Sequence, residues 1–268
     1  MSIDDQSKDQ LYRAIISHIF NKHHAENPDG FIFLRDEIIS SATELGLPRP
    51  GNLGDLVYTF RYRKDLPESI KRTASSGFEW IIEGAGRAKY RFSQVKLSRV
   101  IPREDLVTIK IPDSTPEIIQ KNALGDEQAL LAKVRYNRLI DIFLGVAAYS
   151  LQNHLRTTVK GMGQIEIDEI YVGVNSNGQQ YVIPVQAKGG NDKHGVTQTK
   201  QDILCCEQKF PDLICRAVSA QFMGDERIAM FELAVDDGQI KVLREKHYKL
   251  VPAADISRKE LNIYSRME

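Results

Sequence analysis

The chain has 268 residues, 42% hydrophobic and 27% charged, which is the balance of a globular protein with room for one large domain or two ordinary ones. No apolar run approaches the roughly 20 residues of a membrane-spanning helix. The acidic start Met1-Ser2-Ile3-Asp4-Asp5 lacks the apolar core of a signal peptide, so a cytoplasmic protein with no membrane partner is expected. The formal net charge is zero, yet between Arg61 and Arg103 eleven Lys or Arg face four acids, a net of +7 that the remaining chain must balance with −7.

In chain order, Leu11, Ile15, Ile16, Ile19 and Phe20 recur at helical spacing and predict an amphipathic helix over residues 8–22. Pro28-Asp29-Gly30 marks a turn, and Phe31-Ile32-Phe33-Leu34 is long enough only for a strand. A second helix is expected over 35–45, stopped by Gly46-Leu47-Pro48-Arg49-Pro50-Gly51. Asn52 then has the chemistry of an N-cap for a third helix over 52–63. Two aromatic runs, Phe78-Glu79-Trp80-Ile81-Ile82-Glu83 and Ala88-Lys89-Tyr90-Arg91-Phe92, flank Gly84-Ala85-Gly86-Arg87 as a β-hairpin.

Helix, strand, helix, turn, helix and hairpin is the element order of a winged helix-turn-helix, and residues 8–93, within a domain of 1–95, resemble one. The resemblance implies that the 52–63 helix enters a DNA groove. Asn52, Arg61, Arg63 and Lys64 on that helix, with Arg87 and Lys89 in the wing, become the DNA-binding candidates. Winged helices also serve as protein-interaction modules. The basic band, the footprint of a phosphate-binding surface, favours DNA.

Residues 96–120, with Pro102, Pro112 and Pro116, read as a linker holding one strand candidate at 106–111. From residue 117 a helical pattern resumes. It leads through 128–134 into a long apolar helix over 138–156, with Ile140, Phe143, Leu144, Ala147, Ala148, Leu151 and Leu155 as its stripe. Gln152, His154 and Arg156 near its end are either surface residues or phosphate contacts.

Two β-branched runs then flank Asn175-Ser176-Asn177-Gly178, a strong signal for an antiparallel hairpin. Side chains two apart share a face of a strand, so Glu166 lies with Asp168, and Gln186 with Lys188. Pairing the strands gathers an acid, an amide oxygen and an amine at one sheet edge, and a hard divalent cation favours such oxygens. Gly189 and Gly190 open a polar loop to residue 195, as a turn or as a close backbone approach to DNA. A helix over 197–209 follows, with Gln198, Gln201 and Asp202 on the metal side, and Gln198 is a candidate phosphate or water contact. Residues 213–222 are expected as a strand parallel to the Gln-Ala-Lys strand. Runs at 230–235 and 239–243 make a second hairpin around Asp236-Asp237-Gly238, and 246–251 extends the sheet. Cys205, Cys206 and Cys215 show no metal or disulfide spacing and read as small buried hydrophobes.

An Asp followed, across a hairpin, by Gln-Ala-Lys after a Val/Ile run resembles the core of the PD-(D/E)XK nuclease superfamily. It is most similar to the branch in which Gln replaces the second acid. The resemblance covers about half the chain. It implies a restriction-endonuclease-like mixed-sheet α/β domain over 121–268, giving an α+β or α/β chain. It also implies Mg²⁺, with Mn²⁺ as a substitute, bound by Asp168, Gln186 and the Ala187 carbonyl, with Asp168, Gln186 and Lys188 as the catalytic set and Lys188 assisting the attacking water. Glu166, Gln152, Arg156 and Gln198 are auxiliary candidates. The chain departs from the pattern in having Ile167, not Pro, before Asp168 and the neutral Gln186 at the second acid.

The function these readings imply is a Mg²⁺-dependent endonuclease of type II restriction kind. It would act on double-stranded DNA as a homodimer, with no organic cofactor. The alternatives are a modification-dependent endonuclease and a non-catalytic DNA-binding regulator.

Overall fold

The computed structural model describes residues 3–96, 100–124, 126–189, 195–236 and 239–267. The chain is a mixed α+β protein divided into two compact units, one of residues 1–98 with 158–165, the other of 99–157 with 166–268.

In the first unit, α1 (Ile3–His24) precedes β1 (Gly30–Leu34), α2 (Glu37–Glu44) and α3 (Leu53–Tyr58). A π-helical turn (Thr59–Arg63) continues α3, and α4 (Glu68–Lys71) leads to the hairpin of β2 (Phe78–Gly84) and β3 (Lys89–Lys96). Asn52 caps α3 as its chemistry requires: its Oδ1 accepts from the N–H of Gly54 at 3.0 Å and of Asp55 at 3.3 Å. The three strands order as β1-β3-β2, all antiparallel. Alternation turns Phe31, Phe33, Phe92, Trp80 and Ile82 inward onto Ile15, Ile16, Ile19 and Phe20 of α1. Phe20 meets Trp80 and Phe92 edge-on, each at 5.1 Å between ring centroids. Gly84 is required by a close approach: a Cβ there would lie 1.9 Å from the Met162 carbonyl oxygen.

The second unit is an eight-stranded mixed sheet. Seven of its strands run in the order β4-β11-β10-β9-β7-β6-β5, from β4 (Thr108–Pro112), β5 (Ala147–Val159), β6 (Gly163–Val174), β7 (Gln180–Lys188), β9 (Ala217–Phe222), β10 (Arg227–Asp236) and β11 (Gln239–Val251). The eighth, β8 (Ile214–Cys215), pairs with β7. The pairs β7–β9 and β4–β11 are parallel. Helices α6 (Glu127–Tyr136) and α7 (Leu139–Leu144) pack with Val185, Ala187, Val218, Ala220 and Met230 in one core. The alternate residues Ala217, Ala229, Phe231 and Leu233 form a second cluster, against which Ile203 of α8 (Val196–Lys209) packs. Strand β7 is therefore covered on both faces, which is why its sequence is an almost unbroken apolar run. The unit also holds α5 (Glu117–Asn122) and α9 (Arg258–Tyr264).

Most expected elements are present, but two regions differ. The long helix over 138–156 does not form: α7 stops at Leu144, Gly145 takes the left-handed conformation (φ 68°), and the chain turns into β5. Glycine is the residue that accepts this helix-ending geometry without a Cβ clash. Tyr149, Thr157, Thr158 and Val159 beyond it favour the extended state. The supposed linker over 96–120 is also structured, for β4 pairs in register with residues 247–251 of β11 and α5 follows. Cys205 and Cys206 are buried as expected, and Cys215 is half-buried. The Asp237-Gly238 turn and residues 190–194 of the polar loop lie outside the described residues. No described helix is long and apolar enough to cross a membrane.

Replacing Asn52 with Ala removes the α3 cap and should cost about 1 kcal/mol. A shifted urea midpoint of the first unit's transition, followed through Trp80 fluorescence, is the measurement; an unchanged midpoint contradicts the capping role.

Candidate metal and catalytic site

The β6–β7 register pairs Glu169 with Val185 and Ile170 with Pro184, so Asp168 falls beside the Gln186–Ala187 end of β7. Asp168 Oδ2 accepts from the Ala187 N–H at 3.0 Å. Gln186, 1% exposed, faces α8 on the opposite side from Ala187, as strand alternation demands. Its Nε2 donates to Asp202 Oδ2 at 2.8 Å, and its Oε1 accepts from Gln198 Nε2 at 2.6 Å. Gln198 and Asp202 stand one helical turn apart on α8, so both reach the same strand residue. Lys188 is largely buried, its Nζ 3.6 Å from Oε1 of Glu127 in the first turn of α6.

The electrostatics tie these groups together. Burial raises the Asp168 carboxyl above its ordinary range, against the lowering effects of the Ala187 N–H, Lys188 and His154. Asp202 is only 2% exposed, and burial lifts it well above the usual carboxylate range; the charge of Asp168 lifts it further, while Gln186 and Lys188 lower it. Its Oδ1 is buried without a hydrogen-bond partner. Among the described residues no three His, Cys, Asp or Glu side chains converge as a metal-binding group. The donor set is two carboxylates, since the Gln186 amide oxygen already accepts from Gln198. All its donors are oxygens, and an unmatched buried carboxylate oxygen suits a hard divalent cation such as Mg²⁺ or Mn²⁺.

The structure brings Asp168, Gln186, Ala187, Lys188 and Gln198 together. The remaining auxiliary candidates border that cluster: Glu166 lies two residues before Asp168 on β6, and its charge raises the Asp168 carboxyl. Gln152, His154 and Arg156 lie on β5, not at a helix end. Arg156 Nε pairs with Glu166 Oε2 at 3.2 Å, and His154 Nδ1 lies 3.4 Å from Glu166 Oε1, so Glu166 is held by its neighbours. Gln152 is exposed. Two acids complete the site. Asp202 had a signal, its position on the Gln198 face of an amphipathic helix. Glu127 had none, because only the tertiary fold carries the start of α6 to the end of β7.

The DNA-binding candidates divide. Asn52 is occupied as a cap. Lys64 is bound to Asp9 Oδ1 at 2.9 Å, an acid that Arg13 also holds at 2.8 Å. Those two bonds keep the Asp9 carboxyl below its ordinary range. Lys64 therefore braces the unit's own scaffold. Arg61 lies over the Tyr62 ring at 4.9 Å, with Nε and Nη2 buried. Arg87 and Lys89 are exposed in the β2–β3 hairpin, with Arg91 and Lys96 exposed beyond them. The side chain of Arg63 lies outside the described residues.

A carboxyl raised by burial binds its proton more tightly folded than unfolded. In metal-free protein Asp202 therefore lowers stability as pH rises above its unfolded value near 3.8, and costs nothing below it. Asp202→Asn keeps an acceptor for Gln186 and should be more stable at pH 7 by on the order of 1–2 kcal/mol, with the gain vanishing below about pH 4. Urea unfolding at the two pH values tests the sign; a less stable variant at pH 7 refutes it.

Comparison of the chain with protein-family models, with curated proteins and with solved structures returns no match in any of the three.

Proposed function

We propose that the chain is a Mg²⁺-dependent DNA endonuclease of type II restriction kind, active as a homodimer. Its first unit is read as a winged helix-turn-helix and its second as a PD-(D/E)XK-type nuclease domain. The observation that carries the reading is the convergence of Asp168, Gln186 and Lys188 from paired strands onto one buried, charge-coupled cluster.

Asp168, with oxygens at the end of β7, would hold the cation. A bound Mg²⁺ supplies Lewis-acid polarisation of a phosphate oxygen and a more acidic water. Lys188 does the rest of the electrostatic work: its ammonium, shielded from solvent and anchored by Glu127, offsets negative charge that builds on the phosphate in the transition state. Its charge lowers the Asp168 carboxyl, and in this reading its Nζ would also give or take a proton there. The Ala187 N–H fixes the Asp168 carboxylate, so this acid needs no reorganisation when substrate arrives. Cutting both strands of a duplex calls for two such centres, which a symmetric dimer provides.

In the first unit, Arg87 and Lys89 of the wing are the exposed cations that would meet phosphates. Removing one phosphate-binding cation should reduce the salt dependence of DNA binding by about one unit of slope. Arg87→Ala combined with Lys89→Ala is expected to flatten the plot of log affinity against log salt by about two; an unchanged slope removes the wing from the interface.

Asp168→Ala and Lys188→Ala should each lower the rate of plasmid cutting in Mg²⁺ by about 10²-fold or more while leaving DNA affinity within a few fold. Full activity in either variant refutes the catalytic assignment. Wild-type protein that binds DNA yet never nicks plasmid with Mg²⁺ or Mn²⁺, methylated or unmethylated, would instead be a non-catalytic regulator.

A further inference from the structure

We infer that the second carboxylate of the metal site is supplied by helix α8, by Asp202, and that Gln186 is its positioning residue rather than its replacement. This rests on the cation-binding reading of the Asp168 cluster, and it assigns to the cluster a ligand that the strand motif lacks.

Three observations carry it. First, Asp202 is 2% exposed, and one of its two oxygens, Oδ1, is buried with no hydrogen-bond partner. A buried polar atom left unmatched needs an explanation, and an unseen ion is one of few. Second, the bond from Gln186 Nε2 goes to Oδ2, at 2.8 Å, so it fixes the carboxylate and leaves Oδ1 as the open oxygen. Gln186 itself is held from its other end, where Oε1 accepts from Gln198 Nε2 at 2.6 Å. The amide is thus engaged at both ends, and its oxygen is taken. Third, Asp202 is bonded to Gln186 and Asp168 to the N–H of the next residue, Ala187, so the two acids are held by adjacent residues of one strand end.

A purely structural role explains the residue poorly. Asparagine would also accept the Gln186 bond, and without the cost of burying a carboxylate. Negative charge is a property that Asp can bring to this position and Asn cannot. Charge count sets the affinity of an oxygen site for a hard cation. One carboxylate and a neutral amide would hold Mg²⁺ weakly, whereas Asp168 with Asp202 restores a two-acid site.

The test is calorimetric titration of Mn²⁺ alone into the full chain, free of DNA, comparing wild type, Asp168→Asn, Asp202→Asn and the double variant Gln186→Glu with Asp202→Asn. Wild type should bind, and each single variant should lose at least about tenfold in affinity. The double variant returns the acid to the strand and should recover most of that loss. Thermal melts of the same samples separate lost binding from lost folding. If Asp202→Asn fails to fold, Asp202→Glu, which keeps the charge, takes its place and should bind Mn²⁺ where Asp202→Gln does not. Asp202→Asn that binds Mn²⁺ as wild type does overturns the inference, and so does a wild type that binds none. Mn²⁺ binding that depends on Asp202, in a protein that never cuts DNA, upholds this site while removing the nuclease reading.

Discussion

Two carboxylates buried close enough to feel each other are the constraint around which the second unit is arranged. Neither Asp168 nor Asp202 is comfortable: burial raises both, and Asp168 raises Asp202 further. What makes the arrangement tolerable is a ring of fixed donors and positive charge. The Ala187 N–H serves Asp168, the Gln186 amide serves Asp202, and Lys188 acts on both. Every one of these donors comes from the last three residues of β7. That strand is buried on both faces, so its end cannot shift without disturbing the cores on either side. A rigid strand end with a costly charge cluster is the arrangement that the proposed catalytic role calls for.

A similar division between scaffold and function runs through the basic residues of the first unit. Net charge over residues 61–103 suggests a broad positive surface, but part of it is spent internally. Lys64 is closed by Asp9, and Lys71 by Glu68 at 2.6 Å. Of the exposed cations, Arg72 lies at the end of α4, and Arg87, Lys89, Arg91 and Lys96 lie on β3 and its turn. Alternation on β3 sends Lys89 and Arg91 to the face opposite Phe92. The same strand therefore fills the core on one side and presents cations on the other.

How much of this was legible depends on whether the deciding interaction is local. The β6–β7 hairpin was legible because its turn chemistry and its two alternating runs are contiguous. Asn175 seals it by accepting from the Asn177 and Gln179 N–H groups, a bond pattern that only a short polar side chain at that place can make. The helix expected over 138–156 failed for the opposite reason. Residues 140–155 do carry apolar side chains at helical spacing, but the end of α7 is set by remote partners: Arg216 binds the Leu144 carbonyl and Arg244 the Phe143 carbonyl. Those bonds satisfy the open end of the helix, and the sheet edge at β6 then claims the following residues as a strand. The parallel edge strand β4 was hidden in the same way, since its partner β11 lies more than a hundred residues away in sequence.

The candidate site shows the same rule at the level of chemistry. A strand motif counts ligands along the chain, and along the chain Gln186 looks like a missing acid. In space the side chain of Gln186 is a bridge, receiving a hydrogen bond from Gln198 and giving one to Asp202. A glutamate in that place would set a third carboxylate against Asp168 and Asp202 in a region already strained by burial. Neutral Gln at 186 and acid at 202 are thus two halves of one solution. The amide is compatible with the helix acid because it can donate, and the helix acid is held in place because the amide does. The charge of such a site belongs to the cluster as a whole, and it can move from strand to helix without changing what a cation between them would meet.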